Sequence, residues 1–121
     1  MQIAQKNFYK KFLGRVGEEK AAEFLRKKGF KIIKTNYKTH AGEIDLIAID
    51  GEEIVFIEVK TRSNDSYGKP SEAVDIKKQE KYYKVAEEYL LKNKKTNNSC
   101  RFDVVEIEEG QINHVINAFW R

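Results

Sequence analysis

The chain has one cysteine, one proline and two histidines in 121 residues, and each scarcity removes a class of mechanism. A lone Cys100 excludes an intrachain disulfide and any cysteine-rich zinc site. His40 and His114 are too few for a histidine-based zinc centre. No apolar run approaches the ~20 residues of a membrane span. The polar opening Met1-Gln2-Ile3-Ala4-Gln5-Lys6 lacks the apolar core of a secretory signal. A cytoplasmic protein that does not engage the membrane is therefore expected. The single proline, Pro70, falls with Gly68 in a polar stretch from Ser63 to Ser71 that reads as a loop.

What the chain does contain is enough for one core. Its length suits a single domain, and 40% apolar with 35% charged residues describes a globular rather than a disordered chain. A net charge of +4 and a pI near 9.1 lean toward an anionic partner, but many ordinary proteins are this basic. Residues 1–12 read as a basic, aromatic-bearing N-terminal extension, and residues 13–121 as the domain. A helix is predicted from near Leu13 to Lys28, with Gly29 in the usual stop position. Strands follow over Phe30–Tyr37 and in a hairpin around Asp50-Gly51-Glu52-Glu53. A second helix runs from roughly Glu72 to Asn93, where Val74, Tyr82, Val85, Ala86, Tyr89 and Leu90 recur at helical spacing. Phe102–Ile107 and Ile112–Ile116 close the chain as strands. The expected fold is α/β, in the order αβββαββ, with no repeat and no linker.

The most informative residues lie in the hairpin. Asp45 alternates with apolar neighbours in Gly42-Glu43-Ile44-Asp45-Leu46-Ile47, and Glu58 and Lys60 share a strand face with Ile54 and Phe56. Charge in so apolar a segment is costly unless it is paired or bound to a cation. Pairing Ile49 with Ile54 sets Asp45 opposite Glu58, and the alternative two-residue turn at Asp50-Gly51 makes them diagonal neighbours. Directly opposed residues hold their Cβ atoms about 4.5–5.5 Å apart. Two carboxylates that close repel unless a cation sits between them, and Mg2+ (or Mn2+) suits such oxygen ligands. Lys60 would point at the same spot, to orient an attacking water or neutralise charge on a phosphate. An acid-x-lysine triplet alone is common and is usually just solvated charge.

Other residues bear on this centre. Glu18 lies in line with Ala21, Ala22 and Leu25 on the first helix and could bring a third carboxylate, or could be a boundary residue with its head in water. Gly14 and Gly17 would allow that helix to approach another backbone closely. Lys78, Gln79 and Tyr83 on the second helix, Arg62 beside the hairpin and Arg15 on the first helix are candidates for contacting nucleic acid. Arg62 is the best phosphate holder because its planar fork can pair bidentately. The same lysine pattern also fits a solvated helix face. Asp103 is expected to pair with Arg101 or a lysine, and His114 to pack or hydrogen-bond at a strand end. His40 could reach a substrate at Gly42, and Ala118-Phe119-Trp120 could dock on a partner.

Together, Gly14-x-x-Gly17-Glu18-x-x-Ala21, Gly42-Glu43-Ile44-Asp45-Leu46-Ile47, Phe56-Ile57-Glu58-Val59-Lys60-Thr61-Arg62, Lys78-Gln79, Arg101-Phe102-Asp103 and Asn117-Ala118-Phe119 resemble the YraN-like family of small bacterial proteins. That family is similar to archaeal Holliday-junction resolvases within the restriction-endonuclease-like superfamily. The resemblance implies a mixed central sheet of about five strands flanked by helices. It implies Asp45 and Glu58 as metal ligands, Lys60 as the catalytic lysine and Glu18 as a helix-borne acid that is both catalytic and metal-binding. Gln79 and Tyr83 resemble a glutamine-tyrosine pair of related exonucleases. The expected activity is a magnesium- or manganese-dependent endonuclease on DNA, branched or structured DNA included, with a homodimer as a plausible assembly. The alternative is a nucleic-acid-binding protein that keeps the fold without cutting.

Overall fold

A computed structural model describes the backbone of residues 2–62 and 75–119, with side chains from residue 11 onward. The elements are α1 (Gln2–Lys27), β1 (Lys31–Thr39), β2 (Gly42–Asp50), β3 (Glu53–Arg62), α2 (Ile76–Lys92), β4 (Cys100–Glu108) and β5 (Gln111–Phe119). The order αβββαββ is as expected. The loop at 63–71 and Val74 lie outside the described residues, as does Trp120 of the C-terminal apolar segment. Among the described residues, no helix is long and apolar enough to cross a membrane.

Helix α1 starts at Gln2 rather than near Leu13. No glycine or proline precedes Gly14, so nothing in the first turns stops the helix from extending backward. Its end is sharper. Gly29, at φ +97°, follows the last helical turn, and Phe30 N donates to Leu25 O at 3.0 Å while Gly29 N donates to Arg26 O at 2.9 Å. That pair of bonds is a Schellman stop, which turns the chain into β1.

The five strands form one mixed sheet in the order β1-β2-β3-β4-β5. β1, β2 and β3 are antiparallel neighbours, β3 and β4 run parallel, and β5 returns antiparallel. A parallel pair needs a crossover, and α2 supplies it. In the β2–β3 hairpin Ile49 pairs with Ile54 and Asp50 with Glu53, so Gly51-Glu52 form the loop. This is the register that aligns Asp45 with Glu58.

Each helix covers one face. Ala21, Ala22 and Leu25 of α1 pack on Leu46, Ala48, Val55, Ile57, Val105 and Ile107. Tyr82, Val85, Ala86 and Tyr89 of α2 pack on Ile47, Ile54, Phe56, Phe102 and Val104. The period-two split of β3 into Ile54, Phe56 and Glu58 against Val55, Ile57 and Val59 is the one expected from alternation. Of the two glycines in α1, only Gly17 is tight: a Cβ there would lie 2.2 Å from Thr61 Oγ1, whereas Gly14 has open space. Gly17 thus lets α1 lie close to the far end of β3.

The α1 side carries a buried charge network. Asp103 is fully buried and accepts from Arg101 Nε at 3.0 Å and Nη2 at 3.1 Å, and from Asn117 N at 2.9 Å. His114 Nε2 lies 2.7 Å from Asp103, with Lys28 Nζ 2.8 Å from its other ring nitrogen. Arg101 also reaches Glu53 at 2.7 Å and Asp50 at 3.0 Å. The hairpin turn, β4, β5 and the end of α1 are tied to one carboxylate, so Asp103 and His114 are structural. Burial pushes the Asp103 carboxyl up, but His114, Arg101 and Asn117 outweigh it and hold it below its ordinary value. A depressed acid stabilises the fold above its unfolded pKa, so this contribution is complete above about pH 4 and is lost as the pH falls further. Removing the carboxylate leaves the mostly buried Arg101 guanidinium only its more exposed partners Glu53 and Asp50, and deprives the His114 ring and the Asn117 N–H of their acceptor. Asp103→Ala is expected to cost about 3–5 kcal/mol in urea denaturation at pH 7, and a loss under 1 kcal/mol would contradict this role.

Candidate active site

The β2–β3 ladder is regular from Asp50/Glu53 to Leu46/Ile57. Beyond it the next bond from β3 goes to a side chain: Val59 N donates to Asp45 Oδ2 at 2.8 Å. Strict alternation also lapses there. Ile44 joins the core under α2, Leu46 the core under α1, and Asp45 borders a groove on the α2 side. The hairpin opens at this point, with a carboxylate in the place of a backbone acceptor.

The groove, about 590 Å³, runs between this opening and the first turns of α2. Gly42, Glu43, Asp45 and Glu58 border it from the sheet, and Asp75, Lys77, Lys78, Lys81 and Tyr82 from the helix side. Asp75 caps α2, accepting from Lys78 N at 2.8 Å, which fixes the lysines at the rim. Asp45, Glu58 and Lys78, separated by up to 33 positions in sequence, thereby face one space.

Glu58 is only 4% exposed, and its two oxygens differ sharply. Oε1 accepts from Lys78 Nζ at 2.6 Å and lies 2.9 Å from Lys60 Nζ. Oε2 is buried with no hydrogen-bond partner. Burial, opposed by the Val59 N–H and reinforced by Glu58, Glu18 and Glu43, pushes the Asp45 carboxyl up to about 7. Burial and the neighbouring Lys78 pull Lys60 below the ordinary lysine value, against Glu58. For Lys78, burial is outweighed by hydrogen bonds to Glu58 and Lys60, which raise it. Of the two lysines, Lys60 is the readier to give up its proton.

The remaining expected residues are scattered. Glu18 lines a separate hollow on the α1 side with Arg15, Asn36 and Leu46, and does not border the groove. Burial, with Asn36 opposing and Glu43 adding, raises its carboxyl, and its charge is felt at Asp45. Gly17 lies against Thr61 of β3, while Glu18 beside it meets Thr35 and Asn36 of β1 and Leu46 of β2. Arg62 ends β3, half-buried, and Gln79 is half-buried on α2. Tyr83 is only 8% exposed and packs edge-on against Phe102 and Phe119, away from the groove lining. It shares the apolar stripe of Tyr82 and Ala86, which prevails over its i, i+4 relation to Gln79. His40 lies outside on the surface, 3.3 Å from Glu88. One residue was missed. Glu106 is buried on β4 directly beside Lys60, with Oε1 unpartnered and Oε2 3.3 Å from Asn113. Its alternation with Phe102 and Val104 was a usable signal, the same one that exposed Glu58.

Among the described residues, no three His, Cys, Asp or Glu side chains converge closely enough to hold an ion between them. Asp45, Glu58 and Glu43 border the groove as buried or half-buried carboxylates, and one Glu58 oxygen lacks any donor among the described residues. Hard oxygen donors of this kind suit Mg2+ or Mn2+, which bind through one or two carboxylates with water and phosphate completing the shell. The raised Asp45 gives a stability test. Its folded state holds a proton that the unfolded state releases between about pH 4 and 7, so this group's contribution falls as the pH rises through that window. Without divalent ions, Asp45→Asn is expected to stabilise the protein by about 1–2 kcal/mol at pH 8 and by almost nothing near pH 4, read as paired urea melts. Destabilisation at pH 8 would contradict it.

Residues 17–107 match the model of the uncharacterised protein family UPF0102. A UPF0102 protein of Caldanaerobacter subterraneus is 45% identical over 121 aligned residues, covering 94% of this chain and 99% of the relative. Counterparts in Alkaliphilus oremlandii and Clostridioides difficile are 46% and 47% identical, over 90% and 88% of this chain and 98% and 95% of their own lengths.

Proposed function

The chain belongs to the uncharacterised protein family UPF0102, and for this member we propose a divalent-cation-dependent endonuclease that hydrolyses phosphodiester bonds in DNA, with branched or structured DNA as its substrate class. The supporting observation is the juxtaposition of Asp45 and Glu58 at the open end of the hairpin, with Lys60 on the same carboxylate and one Glu58 oxygen unsatisfied. The mixed five-stranded sheet in αβββαββ order accords with a restriction-endonuclease-like architecture.

In this reading Asp45 and Glu58 hold the cation, Mg2+ or Mn2+. When bound, that ion supplies positive charge to the phosphoryl and leaving oxygens. Lys60 Nζ, 2.9 Å from Glu58, orients the attacking water and neutralises charge on the phosphate. Lys77 and Lys81, exposed on α2, and Arg62 at the end of β3 meet the backbone phosphates. Glu18 acts from outside the groove through its charge on Asp45. Two copies of the chain would be needed to cut opposed strands, so a homodimer belongs to this proposal.

A second reading rests on a specific contact. Lys60 and Lys78 together already neutralise Glu58, as they would in a module that grips nucleic acid without cutting it. Incubation with flap, Y-shaped, four-way and linear DNA plus Mn2+ separates the two. Cleavage that falls about a hundredfold or more in Asp45→Asn and Lys60→Ala is expected. Tight binding with no cut on any substrate would support the second reading, and cleavage undiminished in Asp45→Asn would overturn the first.

A further inference from the structure

Lys78 presents a problem of charge placement. Glu58 Oε1 carries two ammonium groups, at 2.6 and 2.9 Å, while Oε2 carries none. The two lysines are held differently. Lys60 springs from the same strand two residues away, on the same sheet face, and its side chain is 20% exposed. Its neighbour across the parallel ladder, Glu106, is a buried acid with an unpartnered oxygen, so the strand offers Lys60 a second anion close by. Lys78 reaches in from the first turn of a different element, and its side chain is 40% exposed. Its flexible stem can carry the ammonium outward into the groove at small cost, whereas Lys60 is confined by its strand.

Resting on the cation-binding reading above, we propose that Lys78 is a built-in counter-ion. Its ammonium on Glu58 Oε1 already supplies the positive charge that an ion at the open Oε2 would bring, and so competes with divalent binding at this carboxylate until it leaves. The released ammonium stays at the groove rim beside Lys77 and Lys81, where a nucleic-acid phosphate is the anion available to it. The site thus keeps a low affinity for divalent ions until nucleic acid draws Lys78 away. Lys78 is a positioning and competing residue rather than one that touches the reacting atoms.

The test uses Mn2+ alone, without nucleic acid, titrated into the full chain and followed by the electron paramagnetic resonance of the free ion. Lys78→Met keeps the stem and removes the charge. It is expected to bind Mn2+ about tenfold tighter than the wild type. Lys78→Arg, which keeps the charge and the fold, should bind no tighter than the wild type, and Glu58→Gln should lose the site. Equal or weaker binding by Lys78→Met, with the wild type still binding, overturns this inference and leaves the cation-binding reading intact. Absence of Mn2+ binding by both the wild type and Lys78→Met overturns the cation-binding reading, and this inference with it.

Discussion

Two carboxylates, Asp45 and Glu58, are brought to one groove by the register of an apolar hairpin, and their burial there is the constraint on which the rest of the site depends. The register is not free to relax. Ile47, Ile49, Ile54 and Phe56 pack under α2 while Leu46, Ala48, Val55 and Ile57 pack under α1, so a one-residue slip would turn both apolar faces the wrong way. The core therefore holds the acids in place. The ladder responds by opening at Asp45, whose carboxylate takes the Val59 N–H, and α2 responds by sending Lys78 to Glu58.

The two faces of the sheet treat buried acids in opposite ways. On the α1 side Asp103 receives Arg101, His114 and the Asn117 N–H, and is held below its ordinary value. On the α2 side Asp45 has one backbone donor, and Glu58 and Glu106 each leave one oxygen unmatched, while Asp45 is raised to about 7. Satisfied acids tie elements together, and unsatisfied ones store a demand for a donor. That contrast separates a structural network from a candidate centre within one small domain. Fold and site are thus coupled: Arg101 and Asp103 secure the turn end of the hairpin, and the open end carries the proposed centre.

Much of this was legible in the chain itself. Alternation in Leu46–Ile49 and Ile54–Lys60 disclosed the hairpin and its faces, because a strand period of two survives without tertiary knowledge, whereas the lapse at Ile44 did not show in the sequence. Tyr82, Val85, Ala86 and Tyr89 marked the buried stripe of α2 for the same reason. The hairpin register was ambiguous between two turns that differ by two residues and so present the same faces, and it is the pairing of Asp50 with Glu53 around Gly51-Glu52 that decides it. Glu18 and Tyr83 show the limit of one-dimensional periodicity. It places a residue on a helix face, but where the helix lies on the sheet decides that Glu18 meets Asn36 rather than Glu58. Width of the buried stripe decides that Tyr83 belongs to the core. The grip of Lys78 on Glu58 spans 20 residues and two elements, so no local pattern announces it. The start of α1 was missed for a different reason: basic and aromatic composition suggested an extension, where the absence of a helix breaker was the better guide.

In the proposed centre, the buried Asp45 carboxyl at the open end of the hairpin would be held ionised by a divalent ion. The most direct measurement is a carbon-13 nuclear magnetic resonance titration of the Asp45 carboxyl, with and without Mg2+. A midpoint near 7 in the absence of the ion, falling well below that value when Mg2+ is added, is the expected result. A midpoint at the ordinary aspartate value that Mg2+ does not move would contradict it.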